Sequence, residues 1–508
     1  MDIEEFRKRG HETIDRICKY YQELDSYDVL PKVEPGYLKK LLPQEAPEDP
    51  ESFDAIQSDM ESKIIPGVTH WQSPNFFAFY PASSSFPTIL ADMYSDMLNC
   101  IGFNVSSLSS PLLCCAIAFF THLIMICRKW ICSPACTELE TIVLDWLAKL
   151  IGLHSDFLSE GKGGGVIQSS ASEATLVTLL AARQRLLNKY KAQGLSEDEL
   201  YELSTRLIAY GSEQTHSRLE KASMIANTRF RIIPTGRNFS IRGETVMLEI
   251  ENDVMNGLIP FYIVTTVGTT SSAVNSISDI ANAIEGTSVW LHVDAAHAGS
   301  ALVCPEYRHY LDGINRSDSF DFNMHEWLLT NFDASCLWVR NRKYLNDALS
   351  VKPEFLRNPA SESGLVLDYR DWEIPVGRRF RSLKIWFVLR SYGAKGLREH
   401  VRKAVKLAQR FFHGILRHPD LFAISAQPAF SLVCFHVKSN PDTPYSSNQL
   451  TSKVYDRANE TRQIYLSRTV LHDQEVIRFA VGSPWTTEEH IDKALELLVK
   501  ITRDVVRA

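Results

Sequence analysis

LIAYGS at 207–212, RIIPTG at 231–236, FYIVTTVGTT at 261–270, VWLHVDAAHAG at 289–299 and SFDFNMHEWLL at 319–329 share one texture. Each is a short run rich in β-branched or aromatic residues, and helical segments separate them. That alternation predicts a doubly wound α/β layer whose strands are buried on both faces. It begins after Gly163-Gly164-Gly165.

Around this centre the texture changes. From Ile3 to about Leu24 the apolar residues Phe6, Ile14, Ile17 and Tyr21 recur at helical spacing until Pro31 and Pro35 break the pattern, so an N-terminal helical arm is expected. VTHWQSPNFFAFYPASSSFP, between Pro66 and Pro87, suits a shaped loop better than a regular element. Beyond about Ile385 a helix-rich segment with extended pieces at FSLVCFHV and EVIRFAVG predicts a smaller α+β domain. The expected division is 1–85, 86–385 and 386–508.

The chain has 508 residues, with 54 basic and 61 acidic side chains and a net charge of −7, which argues against a nucleic-acid binder. The opening MDIEEFRKRG is not a secretory signal, and ten sparse cysteines suggest buried thiols rather than a disulfide framework or a zinc site, so the cytoplasm is the expected compartment. One stretch is out of character. Residues 105–129 are strongly apolar, and 111–127 carry no formal charge, but this is short for a membrane span and contains Pro111 and His122, so a membrane anchor is the weaker reading.

The chemistry-bearing residues sit where the predicted strands end. Ser169, Ser170 and Glu173 precede the helical run ATLVTLLAARQRLL, with Ser170 and Glu173 at capping-box spacing, and a helix N-terminus with two hydroxyls makes an anion cradle. Gly268-Thr269-Thr270 adds hydroxyls from a neighbouring strand end. Asp294 closes a buried apolar run and needs a cationic partner, for which a protonated pyridine nitrogen would serve. His216 follows another strand and suits stacking on a flat ring. His325-Glu326 is not half of a zinc-protease motif, because Leu329 stands where the second histidine belongs; no metal is expected.

The strings GVTHWQSP, CIGF, WICSPACTELE, DWLAKLIGL, GGGVIQSSASEA, HVDAAHAG, NFD, IPVGRRFRSLKIWF and GLREHVRK, in this order over nearly the whole length, resemble the aromatic L-amino-acid decarboxylases, pyridoxal-phosphate enzymes of fold type I. The resemblance implies a homodimer, an α/β large domain with a mixed, mostly parallel sheet, an N-terminal dimerisation arm and a small C-terminal domain. It implies pyridoxal 5′-phosphate as cofactor and an aromatic amino acid as substrate. It places Ser170, Ala171 and Thr270 at the phosphate, His216 against the ring, Asp294 at the pyridinium nitrogen, and Asn323 and His325 elsewhere in the cofactor site. Trp71, Pro81, Ile101 and Phe103 fall on the substrate-pocket wall.

Four departures qualify it. The family string Asn-Pro-His-Lys-Trp reads Asn323-Met324-His325-Glu326-Trp327 here, which puts Glu326 at the position of the Schiff-base lysine and implies slow turnover or a catalytically impaired relative. Two carboxylates about 4 Å apart repel by roughly 4 kcal/mol at an effective dielectric near 20, so a raised Glu326 pKa is expected. Residues 105–129 interrupt a junction that is short in the family, and valine codons begin with GT while lysine codons can end in AG, as in a retained intron. Phe355 stands nearest the loop tyrosine that protonates the carbanion, an exchange associated with aldehyde synthases; Ala82 replaces a hydroxyl-bearing residue of dopa-preferring members.

Overall fold

The computed structural model describes residues 1–102, 133–271, 273–351, 367–439 and 443–507. Phe103, the apolar stretch 105–129 and Phe355 therefore lie outside the described residues. Chain contacts divide the protein into two compact units, Met1–Ala82 with Ala404–Ala508, and Ser83–Lys403.

The unit Ser83–Lys403 is built on a seven-stranded sheet: β1 (Gly164–Gln168), β2 (Leu207–Ser212), β3 (Arg229–Ile233), β4 (Ile259–Thr266), β5 (Trp290–Asp294), β6 (Ser319–Asn323) and β7 (Ser335–Val339), in the order β1-β7-β6-β5-β4-β2-β3. β2 through β6 pair in parallel, and β7 runs antiparallel to both β6 and β1. β1, β2, β5, β6 and β7 are buried at every position, as expected for strands covered on both faces. The mixed, mostly parallel sheet is thus present. The run LIAYGS is β2 itself, whereas in FYIVTTVGTT the strand stops at Thr266; the Val267 N–H still donates to the Asp294 carbonyl at 2.8 Å before the chain turns at Gly268.

Helices cover the sheet. Ala171–Ala192 packs Val177, Leu179 and Ala182 into a cluster with Val166, Phe261, Trp290 and Leu337. Pro134–Ile151 starts with proline, whose missing N–H is not needed in a first turn, and ends at Gly152 with φ 83°, a left-handed cap that glycine adopts without strain. Arg378 ties this helix to β1. Its buried guanidinium donates to both Glu140 carboxylate oxygens (2.9 and 2.7 Å), to Glu373 and to the Ile167 carbonyl (3.1 Å), while Glu140 also accepts the Ile167 N–H at 2.8 Å.

In the other unit the helix Ile3–Gln22 is capped by Asp2, which accepts the Glu5 N–H at 2.8 Å; it buries no residue, and Ile3 and Phe6 lie open. Strands β8 (Phe422–Ala429), β9 (Leu432–Val437), β10 (Ser467–Leu471) and β11 (Gln474–Ala480) form an antiparallel sheet in the order β10-β11-β9-β8, so the two extended pieces read from the sequence have two further partners. The aromatic loop near residue 77 joins N- and C-terminal segments: the Phe77 N–H donates to the Tyr465 carbonyl (2.9 Å), the Phe77 carbonyl accepts from Ala480 (3.0 Å), and Phe77 stacks on Phe479 at 4.1 Å. The described cysteines Cys18, Cys100, Cys136, Cys304, Cys336 and Cys434 are free thiols, and no helix among the described residues is long and apolar enough to cross a membrane.

Candidate cofactor site

β1, β2, β4, β5 and β6 all point their carboxyl ends to one edge of the sheet, and the residues singled out above gather there. Asp294 ends β5 and is buried. One carboxylate oxygen accepts the Ala296 N–H at 3.0 Å; the other accepts from the Arg218 guanidinium, itself only 10% exposed. Burial alone would raise the Asp294 pKa, but Arg218, the Ala296 N–H and His292 outweigh it and hold the carboxyl below its usual range. The cationic partner demanded by the buried strand end is therefore present within the chain.

Beside this pair, His292 on β5 lies 3.0 Å from Asp321 on β6, both fully buried. Burial and the nearby Asp294 push the Asp321 pKa up. His292 is fixed from its other nitrogen by Ser319 Oγ at 2.8 Å, and Tyr262 stacks on its ring at 5.9 Å while sharing a hydrogen bond with Thr178 at 2.9 Å.

Asn323 ends β6 and donates its side-chain amide to Glu326 at 2.6 Å. The second Glu326 oxygen lies 3.5 Å from His297 Nδ1, and the His297 ring is stacked on Trp327 at 4.7 Å with 5° between planes. The expectation of a raised Glu326 pKa is overturned. Burial does push it up, but His297, Asn323 and His325 pull harder, and the net shift is downward. Glu326 is an anion embedded among donors rather than a neutral acid.

His325 points elsewhere. Its Nδ1 accepts the Ala334 N–H at 2.9 Å, its ring meets Phe332 edge-on, and its carbonyl accepts the Ser83 N–H at 2.7 Å, so it braces the turn between β6 and β7. His216 lies exposed on the loop after β2 with Nδ1 accepting the Arg218 N–H at 3.2 Å; partial desolvation and Arg218 lower its pKa against the pull of Asp294 and Glu326.

At the putting-in point for an anion, Ser170 caps Ala171–Ala192 by accepting the Glu173 N–H at 3.3 Å. The capping box is offset by one residue, because the Glu173 carboxylate reaches the N–H and hydroxyl of Ser169 (2.9 and 2.5 Å). Ala171, at the first helical position, is buried. Gly268, with φ 83°, turns the chain after β4, and the Thr269 hydroxyl is taken up by the N–H groups of Ser271 and Ala273 (3.3 and 3.0 Å), which leaves Thr270 half-buried at the tip. Two buried polar atoms at this edge, Thr266 Oγ1 and Asn323 Oδ1, have no hydrogen-bond partner among the described residues.

Of the residues assigned to a substrate wall, Ile101 belongs to the sheet unit and is exposed. Trp71, Pro81 and Ala82 belong to the other unit, where Trp71 stacks on Phe76 at 4.6 Å, Pro81 packs on Gly482, and the Ala82 carbonyl accepts from Gln72 at 2.6 Å. Sequence reasoning missed Arg218, His297 and the His292–Asp321 pair. His297 was within reach, three residues past Asp294 in DAAH; Arg218 carried no signal, since nothing in the spacing links it to a carboxylate in another strand.

The profile of the pyridoxal-dependent decarboxylase conserved domain matches residues 35–117 and 112–438. Tryptophan decarboxylase 2 of Oryza sativa subsp. japonica is 45% identical over 504 residues, 98% of this chain and 94% of that protein. Phenylacetaldehyde synthase of Arabidopsis thaliana is 43% identical over 98% of this chain and 96% of its own. The crystal structure of Oryza sativa TDC with PLP and tryptamine superposes with a TM-score of 0.91 at 37% identity, over 100% of this chain and 99% of that one. With the profile spanning most of its length and relatives matching end to end, the chain belongs to the pyridoxal-dependent decarboxylase family.

Proposed function

We propose that this protein binds pyridoxal 5′-phosphate at the carboxyl edge of its sheet and decarboxylates an aromatic L-amino acid. In this reading Glu326 takes the place of the family's Schiff-base lysine and slows turnover. The observation that carries the reading is Asp294: a buried carboxylate, held ionised, at the end of a central strand and already matched to a cation. The donor set fits the cofactor. A helix N-terminus with Ser170 and Ala171, together with the Thr270 tip, suits its phosphate; His216 offers an exposed ring for its heterocycle; and Thr266 Oγ1 and Asn323 Oδ1 are buried atoms short of partners.

When bound, pyridoxal phosphate supplies an electron sink for the pair left behind as carbon dioxide departs. The chain's residues do the rest. Asp294, already paired with Arg218, would face the heterocycle's nitrogen, His216 would orient the plane, and His325 holds the β6–β7 turn that carries Glu326. Glu326 has no amine to offer, so entry and product release depend on uncatalysed exchange with the substrate amine. In the same reading Phe355 donates no proton, so dioxygen would oxidise part of the decarboxylated substrate to an aldehyde, with ammonia and hydrogen peroxide as the other products, in keeping with the phenylacetaldehyde synthase relative.

The proposal extends to a cytosolic homodimer in three parts: arm 1–85, large domain 86–385 and small domain 386–508. Free thiols suit a reducing compartment. Exposed Phe86, Leu90, Met93, Tyr94 and Met97 along the helix Phe86–Leu98 offer an apolar face for a second copy, which the molar mass from light scattering checks. The decisive experiment mixes the purified full chain with pyridoxal phosphate and tryptophan, tyrosine or phenylalanine, and follows carbon dioxide, amine and aldehyde. We expect slow release and no borohydride-trapped adduct at residue 326. Turnover at the rate of a lysine-bearing relative refutes the role given to Glu326; absence of cofactor binding refutes the whole reading.

A further inference from the structure

Among the described residues, the Asp294 carboxylate accepts hydrogen bonds from two groups, the Ala296 N–H and the guanidinium of Arg218. Arg218 belongs to the helix Arg218–Ile225 after β2, two residues beyond His216; its side chain is 10% exposed and paired with Asp294, and the charges of Asp294, Asp321 and Glu326 all favour its cationic form against the cost of burial. A buried carboxylate oxygen that already accepts a charge-assisted hydrogen bond is a poor acceptor for a second cation, because two positive charges would then share one oxygen in a water-poor site. A heterocycle whose nitrogen carries a proton needs that same oxygen.

We infer that Arg218 is a specificity-determining residue that competes with the cofactor's ring nitrogen for Asp294, so that this pocket binds phosphorylated aromatic aldehydes with little regard to whether the ring contains a protonatable nitrogen. The inference rests on the proposed cofactor reading and deepens it. Glu326, an anion that accepts from Asn323 and lies 3.5 Å from His297, adds its charge to those that hold Arg218 cationic at this position. Arg218 and Glu326 thus act together, one withholding Asp294 and the other lacking an amine.

The test uses isothermal titration of the full chain with two probes, pyridoxal 5′-phosphate and its 1-deaza analogue, in which a ring C–H replaces the nitrogen. For the unaltered protein the two dissociation constants are expected to agree within fivefold; a larger preference for pyridoxal phosphate overturns the inference, whatever the behaviour of variants. In Arg218→Met the preference for the nitrogen-bearing ring is expected to rise by at least fivefold, and a smaller rise overturns it. A purely structural role for Arg218 would weaken both probes alike and leave the ratio unchanged. If neither probe binds the unaltered chain, Arg218→Met or Glu326→Lys, the cofactor reading itself falls and the inference with it.

Discussion

Replacing Asp294 with asparagine removes one charge from a pair whose side chains are 1% and 10% exposed. Stranding one partner of such a buried ion pair costs about 3–5 kcal/mol. For Asp294→Asn the lower end applies, because Asp321 and Glu326 still face the abandoned guanidinium. Arg218→Met belongs nearer the upper end, since Asp294 then loses the one guanidinium paired with it among the described residues and keeps the Ala296 N–H. The double variant removes both charges together, so its loss falls short of the sum by about 2–3 kcal/mol, the coupling of groups in direct contact. The assay is equilibrium urea unfolding followed by emission from tryptophans such as Trp327 and Trp338, both buried in the same unit. Acid supplies a second axis. The folded pKa of Asp294 lies below its unfolded value, so its contribution is fully present above the unfolded carboxylate value, near ~4, and is lost as pH falls through the folded one; the gap between the native chain and Asp294→Asn closes in that direction. A coupling below about 0.5 kcal/mol, at the edge of simple additivity, would refute the pairing.

Other outcomes follow from the same geometry. Arg378→Met strands Glu140 and Glu373, both buried, and is expected to lower stability by about 3–5 kcal/mol in urea unfolding. Glu326→Lys places an amine beside Asn323 and is expected to yield a borohydride-trapped cofactor adduct at residue 326 that peptide mass mapping finds only in the variant. Desolvation, with Lys403 nearby, holds His400 down at about 4. The unfolded chain therefore takes up that proton first, stability declines as pH falls from about 6.5 toward 4, and His400→Gln should flatten that limb of the melting-temperature profile.

The sheet was legible because its strands are covered on both faces and so appear as unbroken apolar runs; β2 matches LIAYGS residue for residue. Asp294, Asn323 and His216 were legible for a related reason, since the first two end such a run and the third lies four residues past one, where α/β ligands gather. What escaped depends on contacts between distant segments. β7 follows β6 closely but turns back against it, and a five-residue apolar run carries no mark of its direction. Arg218, in the helix after β2, reaches a carboxylate on β5, and Arg378, besides its near neighbour Glu373, joins Glu140 and Ile167 from two distant stretches. The Glu326 pKa was misjudged because the sequence displayed the neighbouring carboxylate but not the His297 ring and Asn323 amide that surround it.

The unit formed by the two ends of the chain sets an order on its birth at the ribosome. Residues 1–82 emerge first, yet the strand that receives Phe77 and the helix whose His490 meets Asp25 are made last, after the entire sheet unit. Until Tyr465 and Phe479 are made, Phe76 and Phe77 lack these two ring partners and present a greasy, nascent surface for chaperones. Shortening the carboxyl terminus should accordingly cripple the opening eighty-odd residues as well, so that a clipped product fails at both extremities at once.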